Sequence, residues 1–494
     1  MSRLRNALAG AFLLGALALL AACGSSAPGN RAPAAASPTA PTPFPTPEGT
    51  PLPTRPEYAP GTLVDYTAQD GDTLPAVAAH FNTTVQQILA ANPHLPRDIT
   101  TLPPGFPMKV PIYYAPFWGT PFKILPDALF VNGPAARGFN TRAFVARYPN
   151  GWLAHYEEYA ADATRDGADI VEYISHMYSL DPRLLLALLE YRAGALTRPS
   201  LPPDKARYPL GYRDPKHHGL FLQLNYAANL LNNGYYAWRL GALPLFVLRD
   251  GTEVRPDPWQ NAATVALQNY FAQMLPADMY HEAVSPRGFF RLYAFLFGDP
   301  WKNPPPPHIP ANLHQPPMKL PFPKGEIWVY TGAPHTGWGL GQPFAALDFA
   351  PMGVSGCQST DKWAVAVADG VVARSARAEV MLDLDGDGDD RTGWNVFYFH
   401  LADNGRALQG MHLKTGDPVG HPSCEGGRTT GTHVHIARKY NGEWIIASGV
   451  IPFNLEGWVA ESAGAAYKGD LRRGEGLVIA SDQGIPAAEI KSQH

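Results

Sequence analysis

The stretch Gly427–Trp444, "GRTTGTHVHIARKYNGEW", places two histidines one residue apart inside a strand pattern. Successive side chains of a strand point to opposite faces, so His433 and His435 share one face, with Cα atoms about 6.5 to 7 Å apart. Val434 and Ile436 point the other way and can enter a core. The two imidazoles can therefore flank one centre on the polar face of a sheet.

The same stretch ends in a hairpin signal. Asn441-Gly442 favours a type I′ turn, and the "EWIIA" segment that follows supplies the returning strand. Short alternating segments separated by glycine-rich turns fill the chain from residue 326 onward. This pattern predicts an antiparallel, all-β domain over residues 326–460.

Three further residues in this domain can join the histidine pair. The segment "VFYFHL" places His400 on a predicted strand, on the same face as Tyr398. The segment "GAPHTGWGLGQPFAALDFAP" supplies His335 and, thirteen positions later, Asp348 within an apolar run. A carboxylate in such a run needs a strong partner to offset its desolvation, and a bound cation is one.

Taken together these segments resemble a known family. "GAPHTGWG", "ALDFAP", "FYFHL" and "SCEGGRTTGTHVHIARKYNGEW" are similar to the β-lytic branch of the lysostaphin-type zinc metalloendopeptidases, which cut peptide bonds in peptidoglycan. The resemblance runs from Glu326 to about Val459. Most relatives carry a compact His-x-x-x-Asp motif, whereas this chain has Phe344 at that histidine position. In the β-lytic branch the histidine comes from further upstream, which His335 satisfies.

The resemblance implies a division of roles. His335, Asp348 and His435 would bind zinc, and His400 and His433 would be the catalytic histidines. A catalytic zinc keeps three protein ligands and an open position for water, which agrees with this division. The alternative is a non-catalytic LysM lipoprotein that binds the wall and activates another hydrolase. Such relatives usually lack several ligands, whereas all five positions are occupied here.

Residues 62–113 carry a second resemblance. "YTAQDGDTLPAVAAHFNTTVQQILAANPHLPRDITTLPPGFPMKVPI" predicts the order βααβ, with Asp72 or Thr73 capping the first helix. The pattern resembles a LysM domain, which binds glycans that contain N-acetylglucosamine. By resemblance the sugar lies between the loop at Gly71–Leu74 and the loop after Asn92, so Asp72, Thr73 and Asn92 are candidate glycan contacts. The alternative is a βααβ spacer without a ligand.

Residues 138–300 are predicted to be mainly helical. Pro182 marks a helix start, and Gly194 and Gly234 mark candidate helix ends. Glu190, at the end of a leucine-rich helix, loosely resembles the general acid of lysozyme-like lytic transglycosylases, an acid that requires a raised pKa. The alternative is that Glu190 pairs locally inside a binding or spacer domain.

The first residues predict export. An apolar run after Arg5 ends in "LAAC", which resembles the lipobox of a bacterial lipoprotein, so residues 1–22 are a predicted signal peptide and Cys23 the lipidated residue. Residues 23–61 are rich in proline, alanine and threonine and predict a stalk to the cell membrane. Outside the cytoplasm, Cys357 and Cys424 are more readily a disulfide than two thiols. The net charge of -4 does not favour a nucleic-acid-binding protein.

Three segments remain. Residues 301–325 form a second proline-rich linker, and residues 461–494 a C-terminal extension without a predicted role. "DLDGDGDD" spaces Asp383, Asp385 and Asp387 like the start of an EF-hand loop, with Trp394 where a bidentate glutamate is expected. This segment is a candidate Ca²⁺ site or simply an acidic turn between strands.

The sequence therefore predicts a multidomain, membrane-anchored, extracytoplasmic protein: a small βααβ LysM module, a mainly α-helical middle domain and an all-β metallopeptidase. The implied cofactor is Zn²⁺, with Ca²⁺ as a second candidate. The implied partner is peptidoglycan, bound through its glycan and cut at its peptide cross-links.

Overall fold

Two helices and a two-stranded antiparallel sheet form the first folded region, in the predicted βααβ order. The computed structural model describes residues 55–115 and 118–493, and this region begins it. Thr73 caps the first helix by accepting from the Ala76 amide, and Thr84 caps the second in a capping box with Gln87. The elements are β1 (Thr62–Thr67), α1 (Leu74–His80), α2 (Val85–Ala91) and β2 (Pro107–Ile112).

The second region is mainly helical, as predicted. Pro182 stands in the first turn of its helix, and Gly194 ends that helix in the left-handed conformation, at φ +71°. The elements are α3 (Thr141–Val145), β3 (Glu157–Ala160), β4 (Ala163–Asp166), α4 (Gly167–Tyr178), α5 (Pro182–Ala193), α6 (Pro203–Arg207), α7 (Leu220–Arg239), β5 (Phe246–Val247), β6 (Glu253–Val254), α8 (Ala262–Met274), α9 (Ala277–Ala283) and α10 (Phe289–Phe297).

The prediction that Gly234 ends a helix is wrong. Gly234 lies inside α7, where the helix crosses α8 at close range. A Cβ at this position would lie 2.8 Å from the Asn269 Cβ and 2.9 Å from the Ala266 Cα. The glycine is needed for helix contact rather than for helix termination, a distinction that the sequence alone does not carry.

The third region is built on one antiparallel sheet of nine strands, in the order β13-β10-β11-β12-β15-β8-β7-β21, with β16 paired to β15. Asn441-Gly442 forms the predicted two-residue turn, both residues having positive φ. The strands are β7 (Ile327–Thr336), β8 (Phe344–Pro351), β9 (Ala364–Val365), β10 (Gly370–Ala376), β11 (Glu379–Asp383), β12 (Trp394–Phe399), β13 (His412–Leu413), β14 (Pro418–Gly420), β15 (Val434–Tyr440), β16 (Glu443–Trp444), β17 (Asn454–Leu455), β18 (Trp458–Ser462), β19 (Gly469–Arg473), β20 (Gly476–Ile479) and β21 (Glu489–Lys491).

The two faces of this sheet have different neighbours. Val434 and Ile436 enter the core of the β-region, as predicted. On the opposite face, Phe397, Phe399 and Ala437 belong to the same buried cluster as the helices of the second region. The helical region therefore covers the face of the sheet to which His435 belongs.

The segments predicted as a linker and a tail are packed against the β-region. Within 301–325, Lys319 donates its amide to Val367 and the Val365 amide donates to Pro321. Within 461–494, β21 pairs with β7 and so extends the sheet by one strand. Both segments are therefore structural parts of the third region.

The predicted signal peptide, the lipidation residue Cys23 and most of the predicted stalk lie outside the described residues. Among the residues that are described, no helix combines the length and the apolar character needed to cross a bilayer.

Candidate metal centre

Strand register brings the three predicted ligands together. His435 on β15 and Asp348 on β8 are direct cross-strand partners. Gly332 on β7 pairs with Asp348, whereas His335, three residues later, pairs with Ala346 only two residues away on β8. This extra residue is a β-bulge, and it turns His335 onto the face that Asp348 occupies.

The ligand atoms form a small triangle. The Nε2 of His335 lies 3.0 Å from the Nδ1 of His435, and each of these nitrogens lies 3.2 Å from the Oδ1 of Asp348. Ligands at ordinary Zn–N and Zn–O distances in a tetrahedron are separated by about 3.3 Å. The three residues form one of two groups among the described residues whose donor atoms could hold one metal ion.

The outer nitrogen of each ring is bound to a backbone carbonyl. The Nδ1–H of His335 donates to Ala333, and the Nε2–H of His435 donates to Gly337. Since a carbonyl only accepts, the ring nitrogen facing it carries the proton, and the inner nitrogen is left with a lone pair. The Oδ1 of Asp348 is buried and accepts no hydrogen bond. Three converging lone pairs without a donor between them fit a bound cation.

The two predicted catalytic histidines are also each bonded to a backbone carbonyl. The Nδ1–H of His400 donates to the Glu425 carbonyl at 2.8 Å, and the Nδ1–H of His433 donates to Gly431 at 2.8 Å. Their rings lie 4.7 Å apart, and the Nε2 of His433 is 3.6 Å from the Oδ1 of Asp348. All five predicted residues therefore meet at one place.

The predicted position of His400 on a strand, beside Tyr398, is wrong. Strand β12 ends at Phe399, and Tyr398 points into the core of the β-region. His400 has a φ of +61°, in the left-handed region. This turn carries its ring away from the Tyr398 face and toward His433, which strand alternation could not predict.

Burial and neighbouring rings shift the ionisation of the site. Burial favours the neutral carboxyl of Asp348, but His335 and His433 outweigh it and hold its pKa well below the usual range. Burial lowers the pKa of His435. Burial, with the nearby His433 and His435, lowers the pKa of His400 to about 3. His435 and His400 are therefore neutral at physiological pH, as a metal ligand and a proton acceptor require.

Two residues that the sequence did not single out shape the site. A Cβ on Gly332 would lie 2.5 Å from the Oδ2 of Asp348, so glycine makes room for the carboxylate. Tyr467, in the segment predicted as a C-terminal extension, stacks on the His335 ring at 4.1 Å. Its backbone is in the left-handed region, at a φ of +66°. Both contacts depend on how the chain folds, so neither residue could be recognised from the sequence.

The candidate glycan contacts are engaged inside the LysM region. The Asp72 carboxylate is buried and accepts from the Tyr66 hydroxyl and the Gln69 amide. Asn92 is buried and bonds the backbone of Ile88 and Lys109, and Thr73 caps α1. These side chains stabilise the loops, and their contact with a sugar stays a prediction.

The side chain of Glu190 makes local hydrogen bonds, as the alternative prediction expected of it. Its carboxylate accepts from the amides of Leu196 and Thr197 and from the Thr197 hydroxyl. These bonds tie the end of α5 to the loop that follows, and a general-acid role for Glu190 stays a prediction.

The remaining predicted sites, the cysteine pair and the aspartate cluster, lie in the β-region. Cys357 and Cys424 form a disulfide. Asp383, Asp385 and Asp387 lie close together, with Asp383 accepting from the amides of Asp385 and Gly388 in a turn between strands. This geometry is that of an acidic turn, and the calcium site stays a prediction.

Comparison with known proteins agrees with this architecture. Residues 66–111 match the LysM domain family, and residues 123–312 match the family described as LasA, N-terminal domain. Protease LasA of Pseudomonas aeruginosa is 26% identical over 352 residues, which are 66% of this chain and 75% of that protein. The β-lytic metalloendopeptidase of Lysobacter enzymogenes is 28% identical over 167 residues, covering 32% of this chain and 85% of that protein.

The chain is a LysM-containing relative of the lysostaphin-type peptidases. A solved structure, the M23 metalloprotease pseudoalterin, is 24% identical and covers 33% of this chain and 94% of that one, with a TM-score of 0.29. The match of 123–312 to the LasA N-terminal domain spans the region predicted to be mainly helical, for which a lysozyme-like fold stays a prediction.

Proposed function

We propose that this protein is a zinc-dependent endopeptidase that cuts the peptide cross-links of peptidoglycan. The observation that carries the proposal is the convergence of unprotonated ring nitrogens on the Asp348 carboxylate, each ring being fixed by a backbone carbonyl behind it. The resemblance to lysostaphin-type and LasA-like peptidases supports the same reaction class.

The residues divide the chemistry between them. His335, Asp348 and His435 would hold the zinc ion, which supplies a coordinated water of pKa near 7 and polarises the scissile carbonyl. His400 and His433 lie beside the triangle, with their Nε2 atoms unbound by carbonyls. One of these rings would take the proton of the attacking water at its Nε2 and return that proton to the leaving amine.

The LysM region would direct the protein to its substrate by binding the glycan of peptidoglycan. Its family match and βααβ fold support binding to glycan that contains N-acetylglucosamine. Binding of this kind raises the local concentration of peptide cross-links for the catalytic region. The "LAAC" segment supports lipidation at Cys23 and attachment to the outer face of the cell membrane.

The test measures zinc and released peptides together. Purified protein is expected to contain about one zinc per chain and to release new amino termini from isolated peptidoglycan, a reaction that a chelator stops. Mass spectrometry of the muropeptides identifies the bond that is cut.

His433→Ala should remove the product, and His412→Ala, which changes an exposed histidine on β13, should not. Metal-free protein that releases nothing, yet stimulates a separate wall hydrolase, would instead establish the activator alternative.

A further inference from the structure

The proline-rich connector crosses the two loops between which the LysM sugar is expected. Residues 308–313, here called the strap, run from Asp70 in the first loop to Thr100 and Thr101 in the loop that follows α2. His308 and Leu313 of the strap are buried, although the strap lies far from the LysM region in sequence.

At the first loop, the strap binds a single carboxylate. The Oδ2 of Asp70 accepts from the backbone amide of His308 at 2.9 Å and from its Nδ1 at 2.6 Å. The Oδ1 of Asp70 accepts from the Ile309 amide at 2.9 Å. Both oxygens of Asp70 are therefore taken by the strap.

At the second loop, the strap binds two threonines. The Thr101 hydroxyl donates to the Pro310 carbonyl and accepts from the Leu313 amide, and the Thr101 carbonyl accepts from the Asn312 amide. The Thr100 hydroxyl donates to the Leu313 carbonyl at 2.8 Å. The hydroxyls and the carbonyl that a sugar could bond on this loop are thus already paired.

The other side of the strap is held by the peptidase region. The Nε2 of His308 lies 2.7 Å from the Glu443 carboxylate, and the Asn441 side chain donates to the His308 carbonyl. Ile309 and Leu313 pack on Ile445. The strap is therefore a wedge between the LysM loops and the tip of the β15–β16 hairpin.

We infer that the strap occupies the glycan groove of the LysM region, so that glycan binding requires the strap to leave. This inference rests on the proposed binding of glycan by the LysM region. A groove that is open only in a fraction of molecules binds with an apparent affinity reduced by that fraction. The full chain should thus bind glycan weakly, and loosening the strap should strengthen binding without any change in the LysM residues.

Asn312 offers a matched pair of variants. Its φ is +51° and its exposed side chain makes one long bond, from the Thr100 amide to Oδ1 at 3.4 Å, so Asn312→Gly keeps the backbone shape and loses only that bond. Asn312→Pro cannot adopt this φ and removes the amide that bonds Thr101. We expect Asn312→Pro to bind oligomers of β-1,4-linked N-acetylglucosamine about tenfold more tightly than wild type, and Asn312→Gly, which loses only one long bond, to stay within about twofold of wild type.

Calorimetry on the full chain gives the affinities, and hydrogen exchange reports the strap directly. Oligomer added to wild type should speed exchange of the Asn312 and Leu313 amides. Equal binding by all three proteins, or slower exchange at these amides, would overturn the strap inference while leaving glycan binding intact. No binding by an Asn312→Pro protein with fast-exchanging strap amides would refute glycan binding itself, and peptide release from peptidoglycan would still be judged separately.

A second pair protects the test against misfolding. If thermal unfolding shows that Asn312→Pro is not folded, His308→Ala removes the imidazole contacts of the strap to Asp70 and Glu443 and leaves its backbone bonds to Asp70 in place. His314→Ala changes an exposed histidine one residue beyond the strap and serves as its control. The same gain in affinity is expected for His308→Ala alone, and its absence in a folded protein contradicts the inference.

Discussion

The metal centre and the junction between the three folded regions both bury histidine beside carboxylate, but they place their protons differently. At the junction, the two nitrogens of His308 face two carboxylates, Asp70 at 2.6 Å and Glu443 at 2.7 Å. Arg239 adds a second cation, 3.0 Å from Glu443. The carboxylates of Asp70 and Glu443 therefore each meet a donor.

Ionisation follows from these contacts. Burial alone would lower the pKa of His308, but Asp70 and Glu443 outweigh it and raise the pKa to about 10. At the metal centre the protons of His335 and His435 point outward to carbonyls, and the Asp348 Oδ1 meets no donor. A matched set of donors and acceptors indicates a structural ion cluster, whereas converging lone pairs indicate a cation site.

Removing one ligand tests this distinction most strongly. His435→Ala should lose stoichiometric zinc and reduce peptide release about a thousandfold, because it removes a metal ligand and several kcal/mol of transition-state stabilisation. Zinc analysis and the initial rate on peptidoglycan measure both effects. His412→Ala is the control, and full zinc content in His435→Ala would show that the ligand set is assigned wrongly.

Crowding the carboxylate should have the next largest effect. In Gly332→Ala the added Cβ would lie 2.5 Å from the Asp348 Oδ2, so the carboxylate must shift from the position in which it meets both histidines. We expect zinc affinity and activity to fall about a hundredfold. In the control Gly420→Ala the new methyl meets only the Leu401 side chain, at 3.3 Å. Equal losses in the two variants would mean that general destabilisation is the cause.

The sequence predicted the region order, the βααβ module, the antiparallel sheet and the residues of the metal centre, because strand alternation and motif resemblance are local properties. It did not predict the left-handed turn at His400 or the role of Gly332, since both depend on which strands pair. Nor did it predict Tyr467, which reaches His335 from more than a hundred residues away. The prediction that Gly234 ends a helix was wrong for a related reason, since close helix contact and helix termination both favour glycine.

The same dependence on distant partners explains the connector. A proline-rich composition predicts an extended segment, and the strap is extended. Composition does not predict that His308 of the strap contacts Asp70 on one side and Glu443 on the other. The polar groups of the two LysM loops likewise bond the strap, which lies too far away in sequence for a local pattern to predict the contact.

The ion cluster at the junction predicts a dependence of stability on pH. His308 has a folded pKa near 10, above its unfolded value of about 6.5. Its contribution is complete below about pH 6.5, declines as the pH rises and is lost above about pH 10. Burial opposes ionisation of Asp70 and Glu443, but His308 and Arg239 hold their pKa values low, so these carboxylates titrate below this window.

His308→Gln removes this contribution. The difference in free energy of unfolding between wild type and His308→Gln should shrink by about 2–4 kcal/mol from pH 6 to pH 10. Urea unfolding at several pH values measures it, with His314→Gln as a control for which the difference stays flat. A difference that does not change with pH would show that His308 is neutral in the folded protein.

The smallest expected effect concerns the support of a single ligand. Tyr467 stacks on His335 at 4.1 Å but does not itself offer an atom to the ligand triangle, so it acts by holding the imidazole in place. Tyr467→Ala should weaken zinc affinity about tenfold, and Tyr467→Phe should preserve it because the ring remains. Competition with a chromogenic chelator measures the affinity independently of catalysis. Equal zinc affinities in the two variants would show that the bulge in β7 and the Ala333 carbonyl are sufficient to fix His335. The segment after residue 460 would then contribute to the site only through β21, the strand that it adds to the sheet.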